Sequence, residues 1–264
     1  MFTLVIAPCA KESRWPGRPT SSGLVYWEPN VPPMACGSLR DSSGLLPRPI
    51  PPIHHREHIG NVLAQENKTD GVEVGVRMGD HAVKLLRRWS RVRSYLLVDL
   101  WGQQTNYADK ANRHTHLQEH YMVRAQRRTR FAGSGVRLCR NFSTSCAMML
   151  SDESIDFVYL DARHDYNGVL QDIHAYWPKL RRDGIMGGHD YIYASEHEDW
   201  RGVGAINHTD FSLNGDGTRD PLQRAVKGAV DEFFTQCVPR QIMVTYRESP
   251  LRYPVLYNSW YVRK

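Results

Sequence analysis

No run of eighteen apolar residues occurs in this 264-residue chain, so its sequence offers no membrane-spanning helix. The opening MFTLVIAPCA has a short apolar stretch without a basic residue before it, which makes a poor secretory signal. Cysteine is sparse. The five residues Cys9, Cys36, Cys139, Cys146 and Cys237 are odd in number and form no CxxC pair. That argues against a disulfide framework or zinc knuckle and for a reducing, cytoplasmic setting. Cys139 and Cys146 lie in apolar stretches and read as core residues. No internal repeat is visible, and the G-x-G-x-x-G signature of a dinucleotide site is missing.

What is present divides the chain in two. Ten of the fifteen prolines precede Ile53, together with SSG, DSSG and PRPIPP. Such a segment cannot build a long helix or a central strand, so residues 1–52 read as a Pro/Gly/Ser-rich extension. From residue 53 to 264, short apolar runs alternate with helical patterns, which signals βαβ units and one α/β domain. Strands are expected at 71–76, 95–99, 136–139, 155–160 and 185–188. Helices are expected near 55–66, 80–89, 115–131 and 143–150. In the next helix, Val169, Ile173, Tyr176 and Leu180 share one face, with Asp172 and Lys179 turned away. Residues 194–220 read as a long loop, a lid or a surface insertion. A helix at 222–236 and an antiparallel hairpin from 241–246 and 255–262 complete the domain.

Charge is uneven. Between His81 and Arg140, thirteen Lys or Arg stand against three acids, with RRWSRVR and RAQRRTR the densest pieces. A basic face of this kind suits an anionic partner, nucleic acid included, but no RNA-binding signature accompanies it, and solvated helix faces explain it as well.

Chemistry concentrates at strand ends. VEVGVRMG, residues 72–79, reads as strand, tight turn and helix start, with Gly75 and Gly79 allowing the turn. Asp99 ends the second strand, where doubly wound folds place an acid on ribose hydroxyls. Glu73, two residues before Gly75, would repel a phosphate and attract an ammonium or sulfonium. The ligand implied is a nucleoside bearing a cation, which describes S-adenosylmethionine. Asp161 and Asp190 each follow an apolar strand and should meet at the carboxyl edge of the sheet, with His164 and His189 close by. Two carboxylates and two imidazoles there fit a divalent cation held through O and N donors, or a metal-free general base, His164 or His189.

These stretches together resemble class I S-adenosylmethionine-dependent methyltransferases. EVGVRMG, VDLW, FVYLDARHDY, YWPKL and GIMGGHDY are similar to the macrocin-type sugar O-methyltransferases over about residues 71–191. The resemblance implies a Rossmann-like, doubly wound, seven-stranded sheet, mostly parallel, with an antiparallel C-terminal edge hairpin. It implies that Glu73, Gly75 and Gly79 line the methionine end of the cofactor. Asp99 would hold the ribose, Ser143 would lie near the adenine, and Asp161 and Asp190 would face the methyl group. Matching acids in the family hold magnesium, through Asp161 and Asp190 here, but His189 replaces the first acid of the family's D-D-Y. The reaction implied is O-methylation of a small molecule. An RNA methyltransferase using the 81–140 face and a non-catalytic cofactor-binding scaffold are the alternatives, and a homo-oligomer stays open.

Overall fold

The computed structural model describes residues 24–25, 47–107, 109–196, 209–246 and 257–264. Seven strands form one sheet: β1 (Asp70–Val74), β2 (Ser94–Asp99), β3 (Val136–Arg140), β4 (Ile155–Leu160), β5 (Leu180–Gly188), β6 (Ile242–Val244) and β7 (Trp260–Arg263). Their order is β3-β2-β1-β4-β5-β7-β6, parallel from β3 to β5 and antiparallel at β7 and β6. The helices are α1 (Ile59–Gln65), α2 (Asp80–Leu86), α3 (Thr115–Thr129), α4 (Ser143–Ala147), α5 (Tyr166–Tyr176), α6 (Thr209–Ser212) and α7 (Ala225–Glu232). Among the described residues, no helix is long and apolar enough to cross a membrane.

Strands β1 and β4 are central and buried on both faces, which is why they read as continuous apolar runs. Alternate residues feed two cores. Val72, Val158 and Met186 face α5 and α7, while Leu97, Phe157 and Ile185 face α1 and α2 with Trp89. The reversal of strand order between β1 and β4 opens a crevice above their carboxyl ends, where open α/β sheets bind ligands.

Several expectations are corrected. Leu180 does not extend the face of α5. The helix stops at Tyr176, and Leu180 begins β5, paired with Ile155. β5 is irregular over its first residues, because Asp183 adopts φ 64° before the pairing resumes at Ile185. Asp172 is not turned outward: it is 5% exposed, and the Ser143 hydroxyl donates to it. The first strand ends at Val74, leaving Gly75 and Val76 for the turn. Cys139 and Cys146 are joined in a disulfide, with Cα atoms 6.2 Å apart, so the expectation of unpaired cysteines fails for this pair. They lie seven positions apart, and the turn from β3 into α4 brings them together.

Most of the Pro-rich extension and the 197–208 part of the expected lid lie outside the described residues. Leu24–Val25 pairs in parallel with Gln103–Gln104. Residues 47–52 lie on the domain, where Arg48 bridges Glu66 and Asp183, and Ile50 packs on the α1–α2 core. Arg263, 3% exposed, holds Glu66 through two hydrogen bonds of 2.7 and 2.8 Å. Burial alone would raise the Asp183 carboxyl, but hydrogen bonds from Arg48 and Lys68 and the charge of Arg263 bring it down to about 2. A carboxyl depressed on folding adds stability above its unfolded value, about 3.9, and loses it as pH falls through about 2. Asp183→Asn should therefore flatten the acid limb of a stability-against-pH curve. The effect should stay below about 1 kcal/mol, because Asp183 is 41% exposed to screening solvent.

Candidate active site

The carboxyl ends of β1 to β4 surround one cavity of about 360 Å³. At its floor, Gly75 takes φ 88°, and an added Cβ would stand 1.9 Å from the carbonyl oxygen of Asp161. The β1 turn and the β4 end therefore touch backbone to backbone. Gly79 starts α2 at φ 74° and lets Ala125 of α3 approach; it does not border the cavity.

Glu73 is 1% exposed and borders the cavity. Its carboxylate accepts from the Tyr95 hydroxyl at 2.9 Å and lies 3.3 Å from Nδ1 of His81. Asp99 accepts backbone N–H bonds of 2.7 Å from both Arg77 and Trp101. Burial pushes its carboxyl up and those N–H groups pull it back, leaving it raised. Trp101 is fully buried, with Nε1 donating to the Arg77 carbonyl, so it braces this turn, whereas Gln104, Tyr107 and Asn112 border the cavity. Asn141, Phe142, Ser143 and Thr144 form the far wall, where the Tyr176 hydroxyl fixes the Ser143 carbonyl at 2.9 Å.

The other end of the cavity holds the ionic cluster. Nε2 of His164 lies 3.1 Å from Oδ2 of Asp190 and 3.8 Å from Oδ1 of Asp161. Nδ1 of His189 lies 2.9 Å from Oδ1 of Asp190 and 3.9 Å from Oδ1 of Asp161. Arg56 donates to Oδ2 of Asp161 at 3.1 Å. Burial would raise both carboxyls. His189, His164 and Arg56 outweigh it at Asp161, and His189 and His164 do so at Asp190, so both are held below the ordinary range. Asp190 itself takes φ 54°, a conformation that Asp tolerates better than most residues. Phe211 stacks on His164 at 5.0 Å. Arg163 packs over Tyr107 and donates to the carbonyls of Asn106 and Leu213, tying two loops to the site.

Residues 72–191 match the family model described as a methyltransferase domain. The chain carries a class I S-adenosylmethionine-dependent methyltransferase domain. No curated protein sequence matches the chain. In fold, the methyltransferase domain is similar to a protein from Corynebacterium glutamicum (15% identity, 83% of each chain, TM-score 0.50). It is also similar to a protein assigned as a caffeoyl-CoA O-methyltransferase from Staphylococcus aureus (12% identity, 81% of this chain and 86% of that one, TM-score 0.53). At these identities the likeness is one of fold.

The structure of the methyltransferase domain brings Glu73, Gly75, Asp99, Ser143, Asp161 and His164 to one cavity and sets Asp190 and His189 against its Asp161–His164 end. Sequence reasoning missed Arg56, His81 and Asp172. Asp172 had a usable signal, since it stands three residues after Val169 and one before Ile173, within reach of the same core edge. Arg56, in IHHREH, carried none. The donors of the ionic cluster suit a divalent cation: Asp161, His164 and Asp190 each offer one ligand atom within 4.8 Å of the others.

Proposed function

We propose that the domain transfers a methyl group from S-adenosylmethionine to an oxygen of a small-molecule acceptor held at the Asp161–His164–His189–Asp190 cluster. The carrying observation is that Asp161 and His164 border the same cavity as Glu73 and Asp99, with Asp190 and His189 packed against them. Glu73 would attract the cationic methionine end of the cofactor, and Asp99 would accept from the ribose. Asn141 to Thr144 would flank the adenine.

Transfer needs an acceptor oxygen in line with the sulfonium carbon. The O–C bond forms as the C–S bond breaks, the sulfonium becomes the thioether of S-adenosylhomocysteine, and the acceptor loses its proton. Most of the rate then comes from alignment. With no ion on its Nε2, His164 takes the proton there, and Asp190 and Asp161 stabilise the imidazolium that results. Arg56 keeps one oxygen of Asp161 occupied so that the other faces the histidines. A divalent cation held by Asp161, His164 and Asp190 would supply a more acidic acceptor hydroxyl when bound. The loops anchored by Arg163 would close the cavity and exclude bulk water.

The basic 81–140 stretch is partly paired with acids of the same chain: Arg93 with Asp70, Arg128 with Asp80 and Arg140 with Glu119. A cavity of about 360 Å³ favours a small acceptor over RNA.

S-adenosylhomocysteine should raise the melting temperature, and Asp99→Ala should reduce its affinity about tenfold, the worth of roughly one charge-assisted hydrogen bond. Calorimetry showing unchanged affinity in the variant would remove Asp99 from the ribose. Mass spectrometry of acceptor mixtures incubated with S-adenosylmethionine should show a product heavier by one methylene. Cofactor binding without turnover on any acceptor would favour the scaffold reading.

A further inference from the structure

Four consecutive residues, Asn141, Phe142, Ser143 and Thr144, border the cavity as its far wall, and the Cys139–Cys146 disulfide spans them. Cys139 is the last but one residue of β3 and pairs with Val98, while the next pair in the register joins Arg140 to Asp99. Cys146 sits in α4, just beyond the wall residues. The bond therefore ties the strand end before the wall to the helix after it.

The other anchors act at one point. The Ser143 hydroxyl donates to Asp172, and the Tyr176 hydroxyl donates to the Ser143 carbonyl at 2.9 Å, so α5 holds the middle of the wall. α4 has five residues, too few for a helix to persist on its own, and the Phe142 side chain supplies no cap. The disulfide is what holds the two ends of the wall to each other.

The bond can be approached from one side. β3 is the outermost strand of the sheet among the described residues. Cys146 is fully buried, whereas Cys139 is 8% exposed. Sγ of Cys139 lies 3.8 Å from Sδ of Met149, which is 56% exposed. An unbranched, flexible thioether at the surface turns aside at little cost, which opens the Cys139 sulfur to a thiolate.

We infer that Cys139–Cys146 is a redox-modification site that sets cofactor affinity: the disulfide keeps the adenine wall in its binding shape, and reduction by a dithiol loosens it. A thiolate of the dithiol attacks Sγ of Cys139. The S–S bond breaks, and Cys146 leaves with the electron pair and takes up a proton. The second thiol of the reductant then attacks the mixed disulfide and releases Cys139. Two electrons pass from the dithiol to the cysteine pair, and the reductant ends as its own disulfide. A wall that must be ordered on binding costs affinity that a preformed wall keeps. This inference rests on the cavity being the cofactor site.

The full chain is oxidised, its 139–146 bridge is verified by peptide mass mapping, and S-adenosylhomocysteine is titrated by calorimetry before and after treatment with dithiothreitol. The dissociation constant should rise about tenfold or more on reduction and return on reoxidation, the effect expected of lost preorganisation. Cys9, Cys36 and Cys237 meet the same reductant. Cys139→Ala combined with Cys146→Ala isolates the pair and should bind like the reduced wild type, with or without dithiothreitol. Reduced wild type keeps its natural side chains, so the main comparison does not depend on the folding of a variant, and a melting curve checks that it is folded at the titration temperature. Three results would overturn the inference: no bridge in the oxidised chain, a lower melting temperature on reduction with affinity unchanged, or a redox response that persists in the double variant. Equal affinity in both redox states strikes this inference alone. Absence of S-adenosylhomocysteine binding by the oxidised wild type strikes the cofactor reading and this inference with it.

Discussion

Gly75→Ala should abolish S-adenosylhomocysteine binding and destabilise the domain by more than about 3 kcal/mol, among the larger effects of a single substitution. Two independent terms add. An L-residue at φ 88° carries about 1–2 kcal/mol of backbone strain. The new Cβ would also meet the Asp161 carbonyl oxygen at 1.9 Å and the Asp161 carbonyl carbon at 2.3 Å. Both are backbone atoms of the adjacent strand end, so no side chain can swing away. Relief requires β1 and β4 to part at their carboxyl ends, which moves Glu73 and Asp161 together. Gly79→Ala is the contrasting case. It shares the positive φ, but its nearest neighbour is Ala125 Cα at 3.2 Å, and it does not border the cavity. It should cost about 1–2 kcal/mol with cofactor binding kept. Thermal melts with and without S-adenosylhomocysteine separate the two. Equal behaviour of both variants would mean that the β1–β4 contact does not shape the site.

Asp190→Asn should lower kcat by about 10²–10⁴-fold while leaving S-adenosylhomocysteine affinity within about threefold, the range expected when a proton-transfer group loses its electrostatic support. Asp190 is 7% exposed and contacts both His164 and His189 through its two oxygens. Asparagine preserves the shape and tolerates the φ of 54°, so the change removes charge more than geometry. With one carboxylate gone, an imidazolium at His164 keeps only Asp161, at 3.8 Å. Asp190 does not border the main cavity, which is why cofactor affinity should hold. A kcat within a few-fold of wild type would take Asp190 out of the proton pathway.

Much of this arrangement was legible before folding because it is carried by short-range patterns. The strand Ile155–Leu160 is bounded as expected, since an unbroken apolar run between turn residues has few other ways to pair. The glycine turn and the acids at 99, 161 and 190 follow from the same logic, because a residue at the end of an apolar strand must emerge at the sheet's carboxyl edge. Where local pattern misled, tertiary pairing had overridden it. Leu180 continued a helical spacing by coincidence, but hydrogen bonds to β4 captured it for a strand. Asp172 looked like a solvated helix residue until the Ser143 hydroxyl from another element satisfied it in the interior.

The sequence by itself determined the α/β order, the turn at Gly75 and the line of acids at strand ends, because each depends on periodicity or backbone freedom within a few residues. Only the tertiary structure decided three other features. It set Arg56 on Asp161 from 105 residues away, linked Cys139 to Cys146, and put both histidines against the same pair of carboxylates. Contacts of that kind depend on how strands and loops converge at the crevice, and no spacing along the chain encodes them.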